Sequence, residues 1–272
     1  MKADLHVHST ASDGTLTPSQ LVERAHALGV GVLAISDHDS VEGLAEGAAR
    51  SAELGVTLVP AVELSAVQDG RDIHVLAYFV DPASPALAEQ LATLRAGRML
   101  RAEEMVTRLR AAGYRVSLDA VLAVAGGGAV GRSHVARALV DAGHAETVTQ
   151  AFQRFIGRGK PFYVAKRSAS PAQVVARIRD LGAVPVLAHP GVTGVDDLIE
   201  SLVGDGLLGI EAYHADHTPE QAAAYASLAH QLELLVTGGS DFHGLHAPNP
   251  DIGSIDLPEE DLQAFLAADP RS

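Results

Sequence analysis

Short runs of continuous apolar residues alternate along this chain with stretches whose apolar positions recur at helical spacing. The first pattern reads as buried strands at Ala3–His8, Gly31–Ser36, Thr57–Val62, Ile73–Val80, Ala183–Ala188, Leu207–Glu211 and Leu234–Thr237. The helices between them carry their own punctuation. Thr17-Pro18 supplies an N-cap and first-turn proline for a helix ending at Gly29, and Thr218-Pro219 opens another that runs to about Gln231. Val41–Leu54 is helical with Gly55 as its stop, and Pro171 starts a helix to Leu181. The alternation breaks from Pro85 to about Gly113, a long charged helical stretch. Further predicted helices follow at Ser117–Ala125, His134–Ala142 and Thr147–Ile156. Seven strands, mostly apolar throughout and separated by helices, predict an α/β fold with a parallel sheet.

That order suits either a barrel or an open, doubly wound sheet, and the polar positions choose between them. His6 and His8 end the first strand, and Asp37-His38-Asp39 follow the second. Glu63 ends the third, His189 the fifth and Glu211 the sixth, while Asp241 and His243 follow the seventh. An open sheet gathers ligands only where strand order reverses, whereas a barrel brings every strand's carboxyl end to one mouth. The expectation is therefore a seven-stranded, TIM-like (β/α)7 barrel. Residues 1–93 and 166–272 would form the barrel, and 94–165 a mostly helical insertion covering its mouth. His74 is the awkward position. It comes early in its strand, so it must point inward from deeper in the barrel or the strand must be short.

Composition narrows the chemistry. The chain has 272 residues, enough to bury a full core, with 47% hydrophobic residues, 4% aromatics and no tryptophan. Without cysteine, any metal must be held by His, Asp and Glu. Met1–His8 contains Lys2, Asp4 and two histidines where a signal peptide needs an apolar run, and no stretch approaches a membrane span. The expected setting is cytoplasmic, with no membrane partner. A net charge of −14 argues against gripping long nucleic acid through a basic surface, but leaves room for a nucleotide or short oligonucleotide.

His6-Val-His8 places two imidazoles on one face of a strand, a geometry that binds a divalent ion, with Asp13 as a nearby oxygen ligand. Alone, that pattern is weak. Its weight comes from His38, Glu63, His74, His189, Asp241 and His243, which would otherwise fall near strand ends by accident and crowd ionisable groups together at a cost. His26, His144, His230 and His246 read as ordinary surface histidines. Arg98 and Arg101 share a helix face and read as a solvated pair, whereas Arg132, beside Ser133-His134, is a better phosphate ligand. Lys160, Lys166 and Arg167 complete a basic patch in and beside the insertion. Gly157-Arg158-Gly159-Lys160 reads as a surface turn, and Gly126-Gly127-Gly128 as a flexible connection.

The ordered segments DLHVHSTASDG (Asp4–Gly14), SDHDS (Ser36–Ser40), VELS (Val62–Ser65), His74, AHPG (Ala188–Gly191) and GSDFH (Gly239–His243) resemble the motifs of the PHP (polymerase and histidinol phosphatase) family. The resemblance spans nearly the whole chain. It implies a distorted seven-stranded barrel acting on phosphate esters with two or three divalent ions, manganese first and Fe, Zn or Mg as alternatives. By that resemblance His6, His8, Glu63 and Asp241 bind one ion. Glu63 bridges to a second held by His74 and His189, and Asp13, His38 and His243 hold the third. GRSH at Gly131–His134 and IEAYHADHTPEQ at Ile210–Gln221 point to the branch of 3′,5′-nucleotide bisphosphate phosphatases and 5′→3′ exoribonucleases. There Arg132 and His134 would hold the substrate phosphate.

Two adjacent cations would activate a water between them for in-line attack on phosphorus. Glu63, Asp241, Arg132 and His134 would then carry the catalysis, with His134 one choice of proton donor. Asp37 and Asp39 would orient imidazoles. Glu211, His214 and His217 divide between substrate contact and loop structure, with His217 the one expected to reach substrate. The rival readings are a histidinol-phosphate-type phosphatase, a polymerase-associated proofreading module, for which the chain is too short to include a polymerase, and a non-catalytic metal-dependent nucleotide-binding module.

Overall fold

Seven strands form one sheet in chain order: β1 (Ala3–Val7), β2 (Val32–Ile35), β3 (Thr57–Gln68), β4 (Arg71–Tyr78), β5 (Val184–Leu187), β6 (Gly209–His214) and β7 (Leu235–Gly239). The computed structural model describes residues 1–166, 168–245 and 250–271. Arg167 and His246 lie outside them. The helices are α1 (Pro18–Ala27), α2 (Leu44–Leu54), α3 (Pro85–Ala111), α4 (Leu118–Ala125), α5 (Arg132–Asp141), α6 (Val148–Ala151), α7 (Pro171–Asp180), α8 (Pro190–Thr193), α9 (Ile199–Gly204), α10 (Pro219–Gln231) and α11 (Glu259–Ala267). Thr17 and Thr218 cap α1 and α10 through capping boxes, each followed by a first-turn proline. None of the described helices is long and apolar enough to cross a membrane.

The sheet departs from the expected all-parallel arrangement at one strand. β4 runs antiparallel to both β3 and β5, while the other neighbouring pairs are parallel. The cause is local. Asp69-Gly70 separates β3 from β4 and both residues have positive φ, 50° and 71°, the combination that a two-residue hairpin turn needs. The reversal accounts for His74. The start of a reversed strand lies at the mouth, and His74 pairs with Ser65, two residues past Glu63. Glu63 is thus mid-strand rather than terminal. Beyond it the hairpin rises roughly 15 Å as a two-stranded ribbon, at about 3.3 Å per residue. Arg71, at its tip, donates to the Gly194 carbonyl at 2.8 Å and pairs with Asp197.

First and last strands meet without a long ladder. His8 N–H donates to Phe242 O, and Asp241 N–H donates to His6 O, both at 2.9 Å. The buried Asp4 carboxylate braces this seam, accepting from the Ser240 hydroxyl (2.6 Å), Ser240 N–H (3.0 Å) and Gly253 N–H (2.7 Å). Gly239 permits the close approach, since a Cβ there would stand 2.3 Å from His6 Cβ and 2.6 Å from His6 N.

One apolar cluster joins the strands to α1, α7 and α10, including Leu21, Ile178 and Ala229. A second gathers Leu5, Ala61 and Tyr78 with Leu262 and Phe265 of α11, plugging the end opposite the mouth. Sequence pattern alone did not single out α11. A third cluster, including Met105, Val121, Leu139 and Phe155, belongs to the helices between β4 and β5. Within that segment the expected Thr147–Ile156 helix divides into α6 and a wider π-helical turn, Phe152–Ile156. Gly126-Gly127-Gly128 is not a loose connection. Gly126 ends α4 in a left-handed cap, and Gly128 presses on the loop after β1, where a Cβ would lie 2.7 Å from Thr10 O. Gly157–Lys160 is the expected surface turn, closed by Lys160 N–H to Gly157 O.

Gly239→Ala forces two backbones apart at the seam. It is expected to lower unfolding free energy by about 1–3 kcal/mol or more, measured by denaturant titration of the purified chain.

Candidate metal centre

The mouth gathers nine sequence-selected residues. β1 supplies His6, His8 directly follows it, and the loop beyond supplies Asp13. His38 follows β2, Glu63 and His74 come from the hairpin, His189 follows β5, and Asp241 and His243 follow β7. His6 and His8 are fully buried and their Nε2 atoms stand 3.1 Å apart. Asp241 Oδ1 lies 3.4 Å from His6 Nε2 and 3.1 Å from His8 Nε2, with Glu63 Oε2 3.6 and 3.5 Å from the same two nitrogens. Glu63 also meets His38 Nδ1 at 2.6 Å, His74 Nδ1 at 2.8 Å and His189 Nε2 at 3.1 Å. Asp13 Oδ1 faces His243 Nε2 (3.4 Å), His38 Nε2 (3.9 Å) and His8 Nδ1 (4.0 Å). Three rings therefore face two carboxylates at once, His243 turning Nε2 to Asp13 and Nδ1 to Asp241. His38 turns one nitrogen to Glu63 and the other to Asp13, and His8 turns one to Asp241 and the other to Asp13.

Three observations fit this set to divalent ions. Asp13 Oδ1, His38 Nδ1, Glu63 Oε2, His74 Nδ1 and His189 Nδ1 are buried without a hydrogen-bond partner. Most of the donor–donor gaps match the roughly 3.0–3.5 Å expected of ligands sharing one ion with bonds near 2.1 Å. The charge states agree as well. Burial pushes the Glu63 and Asp241 carboxyls up, but the surrounding imidazoles outweigh it and hold both well below the usual carboxylate range. Burial pushes His8, His38 and His74 down, His74 to about 4, leaving neutral lone pairs. Burial also opposes charge on His6 and His243, yet the carboxylates raise both, His243 to about 10. Protons there occupy the role a cation would take.

Three of the six non-glycine residues with positive φ among the described residues lie at the same mouth. Asp39, His189 and Asp241 hold φ values of 50°, 31° and 51°, in the left-handed region that few non-glycine residues adopt. Each lies just past its strand, where the chain must turn outward while its side chain or N–H stays at the mouth.

The neighbours of the cluster differ in part from expectation. Asp37 and Asp39 bond no imidazole among the described residues. Asp37 accepts from Ser9 N–H and from the Ser9 and Ser12 hydroxyls, fastening the loop that carries Asp13. Asp39 accepts from Ser65 N–H and hydroxyl and pairs with Arg98. Arg98 and Arg101 are not a solvated pair. Arg98 is 9% exposed and also donates to Ser65 Oγ, while Arg101 donates to Val164 O and reaches Asp72. Arg132 pairs with Asp72 at 3.0 Å under the rings of Phe152 and Tyr163. Lys166 sits among these groups, 9% exposed, with no hydrogen bond or ion pair among the described residues. Burial pushes its pKa down to about 7, the two arginines adding to the effect.

Ser133 donates to Asp13 Oδ2 at 2.8 Å, leaving Oδ1 for the cluster. His134 Nδ1 accepts from Gly131 N–H at 2.9 Å, and the ring also bonds the Ser12 backbone. Burial lowers its pKa, so it rests neutral and ties α5 to the Asp13 loop. His217 lies behind His214 with both nitrogens engaged, Nδ1 donating to Ala212 O and Nε2 accepting from Gly191 N–H. The residue expected to reach substrate thus also holds the backbone of β6 and of the turn after β5. His26 and His230 are exposed as expected, His230 bonding Asp261, but His144 is part-buried, accepting from Arg115 N–H.

A profile of the PHP domain matches residues 4–158. The 3′,5′-nucleoside bisphosphate phosphatase of Chromobacterium violaceum is 37% identical over 262 residues, covering 94% of this chain and 92% of that protein. A 5′-3′ exoribonuclease of Haemophilus influenzae is 38% identical over 247 residues, covering 89% and 90%. Among solved structures, a protein of Bifidobacterium adolescentis assigned as a metal-dependent phosphoesterase superposes with a TM-score of 0.90 at 35% identity, over 98% of this chain and 96% of that one.

The Arg98–Asp39 pair couples α3 to the mouth. Asp39's carboxyl lies below its ordinary range despite burial, so the stability it adds is present above that range and drains away as pH falls through it. Arg98→Ala strands a buried carboxylate. It is expected to cost about 3–5 kcal/mol at pH 7 and to flatten the acid side of the stability profile, both read from unfolding curves between pH 3 and 8.

Proposed function

The chain belongs to the PHP family, and from that premise we propose that it is a metal-dependent phosphoesterase acting on a nucleoside 3′,5′-bisphosphate in the cytoplasm. His6, His8, Glu63 and Asp241 hold one ion. Glu63 carries over to a second with His74 and His189, and Asp13, His38 and His243 hold a third; manganese is the first choice. When bound, the ions supply an activated water and neutralise charge on the phosphoryl oxygens. The residues around them do the remaining work. Ser133 holds Asp13 in place, and His134 keeps the helical segment docked against the Asp13 loop. Arg132, braced by Asp72 and the rings above it, meets the phosphate as it gains charge.

One observation favours a substrate with two phosphates. Beside the metal cluster lies a group of cationic side chains, where Lys166 stands nearly buried among Arg98, Arg101, Asp39 and Asp72 with no hydrogen bond or ion pair among the described residues. Such an ammonium calls for an anion. A bisphosphate fills both places, one phosphate at the metals beside Arg132 and one at Lys166. A histidinol-phosphate-like substrate leaves the second empty. The 5′ end of a short RNA satisfies the same two places, which accommodates stepwise removal of nucleotides. A net charge of −14 confines that contact to the cleft.

The manganese-loaded chain is expected to release phosphate from 3′-phosphoadenosine 5′-phosphate. Asp241→Ala should abolish that turnover and lower bound metal while circular dichroism stays that of the folded barrel. Rapid turnover of histidinol phosphate with none of the bisphosphate transfers the chain to that branch. Nucleotide binding without hydrolysis under Mn, Fe, Zn or Mg makes it a binding module.

Lys166 gives a separate signature. Its ammonium persists only below about pH 7, so kcat/KM for the bisphosphate should fall as pH rises through that value. Lys166→Met should lose that step and about 10–100-fold in kcat/KM, the loss of a charged hydrogen bond, while p-nitrophenyl phosphate turnover changes little.

A further inference from the structure

Glu211 and His214 lie beside the cluster yet outside its nine residues. In a regular strand they would point to opposite faces, because they are three apart. The register of β6 against β7 shifts between Glu211 and Tyr213, and this irregularity turns both side chains toward the mouth. Glu211 is fully buried and His214 is 5% exposed. Each oxygen of Glu211 has a definite partner. Oε1 lies 2.9 Å from His6 Nδ1, and Oε2 accepts the His189 N–H at 2.9 Å. One carboxylate thus joins the ligand of the first strand to the strained backbone after the fifth. His214 Nδ1 accepts the Asp216 N–H at 3.1 Å, and its buried Nε2, without a hydrogen bond among the described residues, faces Asp241 Oδ2 across 3.5 Å.

We propose that Glu211 and His214 are positioning residues of the metal centre: Glu211 sets the tautomer and angle of His6 and holds the His189 turn, and His214 steers Asp241. The inference rests on the metal-binding reading above. With Nδ1–H given to Glu211, His6 must offer Nε2 as its lone pair, and Nε2 is the nitrogen aimed at His8, Asp241 and Glu63. The buried negative charge of Glu211 also makes that ring a stronger donor. His6, Glu211 and His214 lie close enough to hold an ion themselves. The contact between His6 Nδ1 and Glu211 Oε1 opposes that use, because it already engages the nitrogen nearest that carboxylate.

The test compares the full-length chain with Glu211→Gln by manganese competition against a chelator, alongside the melting temperature of metal-free protein. Glutamine keeps the shape but replaces one acceptor oxygen with a donor, so either His6 or His189 loses its partner. The expected result is about 10–100-fold weaker manganese affinity at unchanged maximal stoichiometry, with the metal-free melting temperature little altered. Equal affinity overturns the proposal. A maximal stoichiometry reduced by one ion overturns it differently, making Glu211 a ligand. A wild-type chain that takes up no manganese defeats the metal reading itself, an outcome visible before any variant is made. Should Glu211→Gln not fold, His214→Asn serves, since its amide oxygen can still accept from Asp216 N–H while the Nε2 that faces Asp241 is gone. A several-fold loss of affinity or kcat is expected there, and no change in either overturns the proposal.

Discussion

Ionised oxygen held away from water must be met by positive charge, and that requirement governs the mouth of this barrel. Asp13, Glu63, Glu211 and Asp241 bring four carboxylates into one buried space. The opposing charge comes from His6 and His243, which the carboxylates hold protonated, while burial keeps His8, His38 and His74 neutral. A rigid frame is needed to keep such groups together, because uncompensated they would drive the strands apart. The frame is visible in the Asp4 brace at the seam, the serines around Asp37 and the left-handed turns at His189 and Asp241. Each fixes backbone close to a charged side chain.

The helical segment between β4 and β5 is fastened to the barrel by the same physics. Arg98 reaches down to Asp39 and Ser65, Ser133 to Asp13, and Arg132 and Arg101 share Asp72. Its own apolar cluster gives it shape. Its attachment at the mouth is nonetheless chiefly polar, an arrangement that favours one docked geometry over many. Cationic groups are thereby concentrated at one place in a strongly acidic chain.

Much of this was legible in the sequence, for identifiable reasons. A buried strand shows as an apolar run, and a polar residue at its end shows against that background, which is how His6, His8, His189 and Asp241 stood out. Less legible was anything that depends on a partner far along the chain. Arg98 and Arg101 look like ordinary helix-surface arginines until Asp39, Ser65 and Asp72 are placed beneath them. Glu211 could not be told from a loop carboxylate, because the register shift that turns it inward arises from pairing with β7. The reversal of β4 did have a local sign in Asp69-Gly70, a dipeptide favoured in tight hairpins. That sign went unused, because the strands of an α/β chain were expected to be parallel. His74, early in its strand, was the misfit that marked the error.

The reversed strand has a further consequence. A parallel strand would have sent the chain back across the barrel and left a loop at the mouth. Here the rim on that side is a paired ribbon ending at Arg71. A loop can yield to a larger ligand, but a ribbon yields only by breaking its ladder. Its height is also quantised. Lengthening each arm by a single residue turns the side chains at the tip to the opposite face, so that wall of the cleft can keep its lining only by growing or shrinking two residues per arm at a time.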